Sequence, residues 1–153
     1  MALESVGGRQ TFFGALPTIN KYGEEVASSG LEKELRWTFN YDDLPAADSA
    51  NDMLLRIPGG KEIVSGKIVV NTAMTGTTGT LTIGVSEQDG GGVIDADGID
   101  AAVAQAVLIA DAVITADGAL IGTKLSEDGV VTVATGGTVT GGQFTLILNV
   151  ADY

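Results

Sequence analysis

The 153-residue chain contains no histidine and no cysteine, so any chemistry of its own would rest on carboxylates, hydroxyls and a few amines. Without imidazole or thiol, the usual nucleophile–base pairs and transition-metal ligand sets are missing. One acidic cluster comprises Asp89, Asp95, Asp97 and Asp100. A calcium loop of the EF-hand type needs oxygen ligands at positions one, three and five, glycine at six and glutamate at twelve. Counted from Asp95, position three is Asp97, but position five is Ile99 and position twelve is Ala106. That regular loop is excluded. Helix capping and turn chemistry account for these acids, with an irregular Ca²⁺ site near Asp95–Asp100 as the one metal alternative. Asp42 and Asp43 adjoin at a strand end and point to opposite sides, a poor arrangement for an acid and base pair. Gly90-Gly91-Gly92 is followed by Val93 and Ile94, not by the Lys and Ser or Thr of a phosphate loop. The residues predict no catalytic group, no metal-ligand set and no cofactor, and the chain reads as non-enzymatic.

Charge narrows the partners. The net charge is −12, from 8 basic and 20 acidic residues. Residues 1–34 hold three basic and five acidic groups, the remainder five and fifteen, and only Lys124 is basic after Lys67. Nucleic-acid binding requires a basic stripe, so DNA and RNA are not expected partners. The longest apolar run, Ala101–Ala110, is broken by Gln105 and stops at Asp111, too short to cross a bilayer. No basic segment followed by an apolar one opens the chain, so neither export by that route nor membrane association is expected.

The elements that must carry this surface are β-strands. Apolar residues make up 44% of the chain and the 22 glycines fall mostly between short runs of Val, Ile, Leu and Thr. That is the composition of many short strands joined by tight turns, where glycine supplies positive φ. In Leu35-Arg36-Trp37-Thr38-Phe39-Asn40-Tyr41 large apolar side chains alternate strictly with polar ones. Period two puts Leu35, Trp37, Phe39 and Tyr41 on one face, so Trp37, Phe39 and Tyr41 mark a subunit or sheet interface. Further strands are predicted at Leu54–Ile57, Ile63–Met74, Thr80–Val85, Gly118–Gly122, Val130–Ala134 and Gln143–Val150. Asp97, as an N-cap, and Asp100, as an acidic N3 residue, precede alanine-rich sequence, which predicts one short helix over Asp97–Ala106. Asp-Gly recurs at Asp89, Asp97, Asp117 and Asp128 and reads as turn dipeptides. The fold class expected is all-β: a β-sandwich or jelly-roll-like domain over residues 35–153 with one short helical insertion.

Residues 1–34 differ. Glycine and proline interrupt the stretch from Gly7 to Gly23, no period holds, and yet it carries Phe12, Phe13, Leu16, Ile19 and Tyr22. Apolar side chains on an extended segment are best buried against another protein, so these five are the expected anchors of an N-terminal arm that docks on a partner subunit.

The segment Ile57-Pro58-Gly59-Gly60-Lys61-Glu62-Ile63-Val64-Ser65-Gly66-Lys67, followed by Gly79–Val85, Asp95–Ala101 and Gly141–Leu148, resembles the decoration or cement proteins of tailed-bacteriophage heads over about two thirds of the chain. The resemblance implies a partner in the major capsid protein, self-association as a homotrimer over local or quasi three-fold axes, and a place on the outer surface of the virion after synthesis in the host cytoplasm. It implies no catalytic residues. An alternative within the same class is a tail, neck or fibre-associated β domain. A carbohydrate-binding β-sandwich is disfavoured, because aromatics for stacking on sugars are only 5% of the chain and most precede residue 42.

Overall fold

In the computed structural model every assigned element is a strand, and the structure describes residues 2–6, 9–13, 24–29, 32–42, 55–88 and 92–152, the first three stretches by their backbone. Strands β1 (Ala2–Val6) and β2 (Arg9–Phe13) pair antiparallel with each other. The other seven form one antiparallel sheet: β3 (Glu24–Ser29), β4 (Glu32–Asn40), β5 (Arg56–Ile57), β6 (Glu62–Glu87), β7 (Val93–Ala104), β8 (Val113–Thr115) and β9 (Gly129–Ala151). Its order is β3-β4-β9-β6-β7, with β5 paired to β9 and β8 paired to β6.

Two strands dominate. β6 and β9 pair from Glu62↔Ala151 to Glu87↔Gly129, over nearly their whole lengths. A straight strand of 26 residues would reach about 86 Å, yet Ile63, Ile68 and Val70 from its first half and Leu81, Ile83 and Val85 from its second belong to one core. The ribbon must therefore bend, and the register shifts at Val70/Thr72, Thr72/Thr75, Thr75/Gly76 and Thr77/Thr80 locate the bend. Bulges of this kind turn a strand and increase its twist. Gly76 at φ 140° shows why glycine sits there: a Cβ would collide with the carbonyl oxygen of Thr138. One half of the bent ribbon is flanked by β4 and β8 and the other by β5 and β7. The apolar faces of both halves close on the shared core, a sandwich-like arrangement of two layers joined by continuous strands.

The core is built by period-two burial. In β4, Leu35, Trp37 and Phe39 are buried while Arg36 and Thr38 are exposed, as the alternation predicts. Trp37 and Phe39 stack at 4.8 Å between ring centroids, and Phe39 meets Phe144 of β9 at 5.7 Å. On the opposite face Thr38 Oγ1 and Thr145 Oγ1 lie 2.8 Å apart, Asn71 donates to Thr145 Oγ1 at 2.8 Å, Gln143 donates to Asn40 at 3.1 Å and Asn149 donates to Ser65 at 3.1 Å. That outer face satisfies its own polar groups.

Three expectations need correction. The segment Asp97–Ala106 is not a helix: Asp97–Ala104 belong to β7, where Leu81 pairs with Val103 and Ile83 with Asp100. Pairing with β6 buries Ile99 and Val103 and overrides the helical preference of the alanines, which is worth only tenths of a kcal/mol per residue. The second correction is strand length. Ile63–Met74 and Thr80–Val85 are parts of one strand, as are Val130–Ala134 and Gln143–Val150. The Gly- and Thr-rich stretches between them are bulged ladder rather than turns. The third is Gly118–Gly122, which is no strand but a turn, closed by Ile121 N–H to the Gly118 carbonyl at 3.1 Å, with one isolated bridge from Ile121 to Ile63.

Close packing makes Gly84 sensitive: a Cβ there would run into the carbonyl oxygen of Ala96 on β7. Gly84→Ala is expected to cost about 1–3 kcal/mol, read as a lowered midpoint in chemical denaturation. Removing residues 143–153 takes away the part of β9 that joins β4 to β6, and the shortened chain should give no cooperative unfolding transition by circular dichroism.

Candidate interaction surface

The acidic residues do not assemble a centre. Among the described residues no three of the acidic side chains stand together as a metal-ligand group; Asp43 and Asp89 lie outside them. Asp95 Oδ1 accepts the Asp97 backbone N–H at 3.3 Å, and Asp128 Oδ1 accepts that of Gly59 at 2.7 Å. The first is a local contact of the kind short acidic side chains make, and the second ties the turn before β6 to the residue preceding β9. Asp100 stands apart. It is 5% exposed and its Oδ2 has no hydrogen-bond partner. The loop after β8 runs beside it, through Gly118 N–H to the Ile99 carbonyl at 2.9 Å and Leu120 N–H to the Gly98 carbonyl at 2.7 Å. Burial, reinforced by the nearby charge of Asp117 and opposed by the Ala101 backbone N–H, raises its pKa from the ordinary carboxylate value.

The other unusual feature is apolar. Of the described residues, the large hydrophobic side chains left exposed are Val93, Val107, Ile109 and Val113, and three of these lie between β7 and the start of β8. Their loop is pinned along the bend of β6. Gln105 accepts the Gly79 N–H with Oε1 at 3.0 Å and donates to the Gly76 carbonyl at 3.3 Å. Met74 N–H bonds to the Leu108 carbonyl, Asp111 N–H to Val70, and Val70 N–H to Ala112, each at 2.9 Å. Leu108 is fully buried and acts as the anchor, while Val107 and Ile109 on either side turn outward. Asp111, in the left-handed region at φ 64°, reverses the chain toward β8. Ala73, Met74, Thr77, Ala106 and Ile109 line a shallow groove of about 560 Å³ beside this loop. The result is a rigid, nearly uncharged patch on a strongly acidic protein.

The residues singled out from sequence are placed as follows. Trp37 and Phe39, each 3% exposed, lie in the core of this chain, and Tyr41 is half-buried just past β4, its N–H bonded to the Gly142 carbonyl at 3.1 Å. The backbone of Phe12 and Phe13 lies in β2, paired with Leu3 and Ala2; Leu16, Ile19 and Tyr22 fall outside the described residues. The Val107–Val113 patch was not anticipated. Its sequence signal, an apolar run with a single acid, is the same one that a buried strand gives.

No protein-family model matches the chain and no curated protein matches it. Among solved structures, a chain in the capsid of Ralstonia phage GP4 matches with TM-score 0.51 and 19% identity, over 85% of this protein and 91% of that chain. A chain in the capsid asymmetric unit of cyanophage Pam1 matches with TM-score 0.51 and 15% identity, over 92% of this protein and 93% of that chain. At such identities the likeness is one of fold. It spans both chains nearly end to end, so those chains are of about this length.

Asp100 yields a test of the buried carboxylate. Its folded-state pKa is raised, so its contribution to stability is complete below about pH 4 and is lost as pH rises through the folded-state value. Asp100→Asn should therefore gain stability relative to wild type between pH 4 and pH 7, measured as the difference in denaturation midpoint at each pH; a constant difference would show that the carboxyl is not stressed.

Proposed function

We propose that this protein is a non-enzymatic structural component of a bacteriophage virion that binds the outer surface of the capsid and stabilises it by clamping neighbouring capsid subunits. The observation that carries the proposal is the near end-to-end fold match to chains of two phage capsid structures. The charge supports the outer face: a protein at −12 is repelled by packaged DNA and tolerated on the outside of the shell. The partners under this reading are the major capsid protein and further copies of this chain, as a homotrimer. The working parts are the domain of residues 35–153 and the arm of residues 1–34, whose Phe12, Phe13, Leu16, Ile19 and Tyr22 supply apolar anchors across the shell or on a neighbouring copy. Many copies on one lattice add their affinities, so each contact can be modest.

The arm and the domain are separable in one respect. β3 pairs with β4, so a deletion that spares the sheet ends at residue 23. Protein lacking residues 1–23 should keep its unfolding transition but fail to co-sediment with capsids; normal attachment would remove the arm from the mechanism. Mass spectrometry of purified particles should find this chain in a copy number comparable with that of the major capsid protein. A handful of copies per particle would favour a tail, neck or fibre position instead.

A further inference from the structure

We infer that residues 117–121 form a flap on β7 that is held shut while Asp100 is protonated and loosened when Asp100 ionises. The device belongs to the isolated chain and needs no partner.

The flap completes an interrupted ladder. Between the pairs Ile83↔Asp100 and Val85↔Asp95 the register shifts, so residues 96–99 of β7 stand opposite Gly84 alone. A bulge takes its residues out of pairing with the neighbouring strand, and their backbone groups need other partners. The loop after β8 supplies two of them. The Gly118 N–H donates to the Ile99 carbonyl at 2.9 Å, and the Leu120 N–H to that of Gly98 at 2.7 Å. Glycine on both sides permits the approach: a Cβ on Gly118 would strike the Gly98 carbonyl oxygen, and one on Gly98 would strike the Leu120 side chain.

Both ends of the flap are anchored on a different strand. The Ala116 N–H is bonded to the Gly66 carbonyl at 2.9 Å and the Gly122 N–H to that of Ile63 at 2.6 Å, both on β6. Gly122, in the left-handed region at φ 82°, turns the chain at the second anchor. The bond from the Ile121 N–H to the Gly118 carbonyl at 3.1 Å lies within the flap itself. The segment can therefore leave β7 without giving up its own turn or its anchors. Closure is favoured by the two β7 bonds, each of small net worth against water, and by Leu120, which packs against the core.

Asp100 opposes closure. It follows the bulge directly, is buried, and has an unpartnered Oδ2, a setting that tolerates a neutral carboxyl far better than a charged one. The flap brings up Asp117, whose charge has the same sign and acts on it. Alongside, β6 presents the neutral Thr82 and Ile83, and β7 itself contributes the Ala101 backbone N–H as a partial offset. The other charged groups of the two segments are engaged elsewhere: Asp95 accepts the Asp97 N–H, Asp97 is exposed, and Lys124 lies opposite Glu62. Ionised Asp100 thus sets two like charges across the contact, and opening hydrates one and separates it from the other. The closed flap holds the proton more tightly than the open one. Closure is strongest below about pH 4 and weakens as pH rises through the closed-state value.

Backbone amide hydrogen exchange of the full chain tests the flap, followed residue by residue by NMR at pH 4 and pH 7 and corrected for the intrinsic rate at each pH. Protection at Gly118 and Leu120 should fall severalfold between the two conditions, while Ala116 and Gly122, on the β6 anchors, keep theirs. Asp100→Asn should abolish the fall, and Asp117→Asn, at an exposed position, should reduce it. Protection at Gly118 and Leu120 that is indifferent to pH, a fall shared equally by Ala116 and Gly122, or a fall that persists unchanged in Asp100→Asn would overturn the inference.

Discussion

The β6–β9 ladder is the constraint on which everything else rests. Two strands of 26 and 23 residues pair antiparallel over almost their full lengths, and each remaining strand of the large sheet except β3 is hydrogen-bonded directly to one of them. A ladder of this length cannot bury its apolar face while straight. Its bend at the bulged Gly and Thr positions brings Ile63, Ile68 and Val70 to the same core as Leu81, Ile83 and Val85. The bend therefore converts a ribbon into a domain. It also creates the ledge where Gln105 and Leu108 fasten the loop after β7.

Burial on this scaffold is uneven, and the exceptions are informative. The outer face of β4, β9 and the first half of β6 pairs its hydroxyl and amide side chains with one another. Asp100 is the opposite case, a buried carboxylate with one oxygen unpartnered and a second acid nearby. The Ala101 backbone N–H offsets this only in part. The exposed Val107, Ile109 and Val113 form the third exception, three large apolar side chains at the surface of a chain with a net charge of −12.

The proposed virion role draws on these features together rather than on any one of them. The fold match alone establishes architecture. Under that proposal, a net charge of −12 suits the outside of a DNA-filled shell better than its inside. No part of this depends on a reactive group, in keeping with a chain that has neither histidine nor cysteine.

Local pattern was sufficient for much of the fold. Alternation through Leu35–Asn40 identified a strand, its buried face and the β class, because period-two burial is written residue by residue; Phe144–Val150 was legible as a strand, although Phe144–Leu148 are buried on both faces. The lack of imidazole and thiol and the uneven charge were equally plain from composition. Three things were settled only by tertiary structure. Alanine-rich Asp97–Ala106 became strand because β6 offered pairing and burial that outweigh a small helical preference. The Gly- and Thr-rich stretches joined short strands into long ones, since a bulge and a turn use the same residues and differ only in what lies opposite. Whether Val107, Ile109 and Val113 face the core or the solvent depended on how the loop is fastened to β6, and that is decided by partners some 30 residues away in sequence, beyond the reach of any local period.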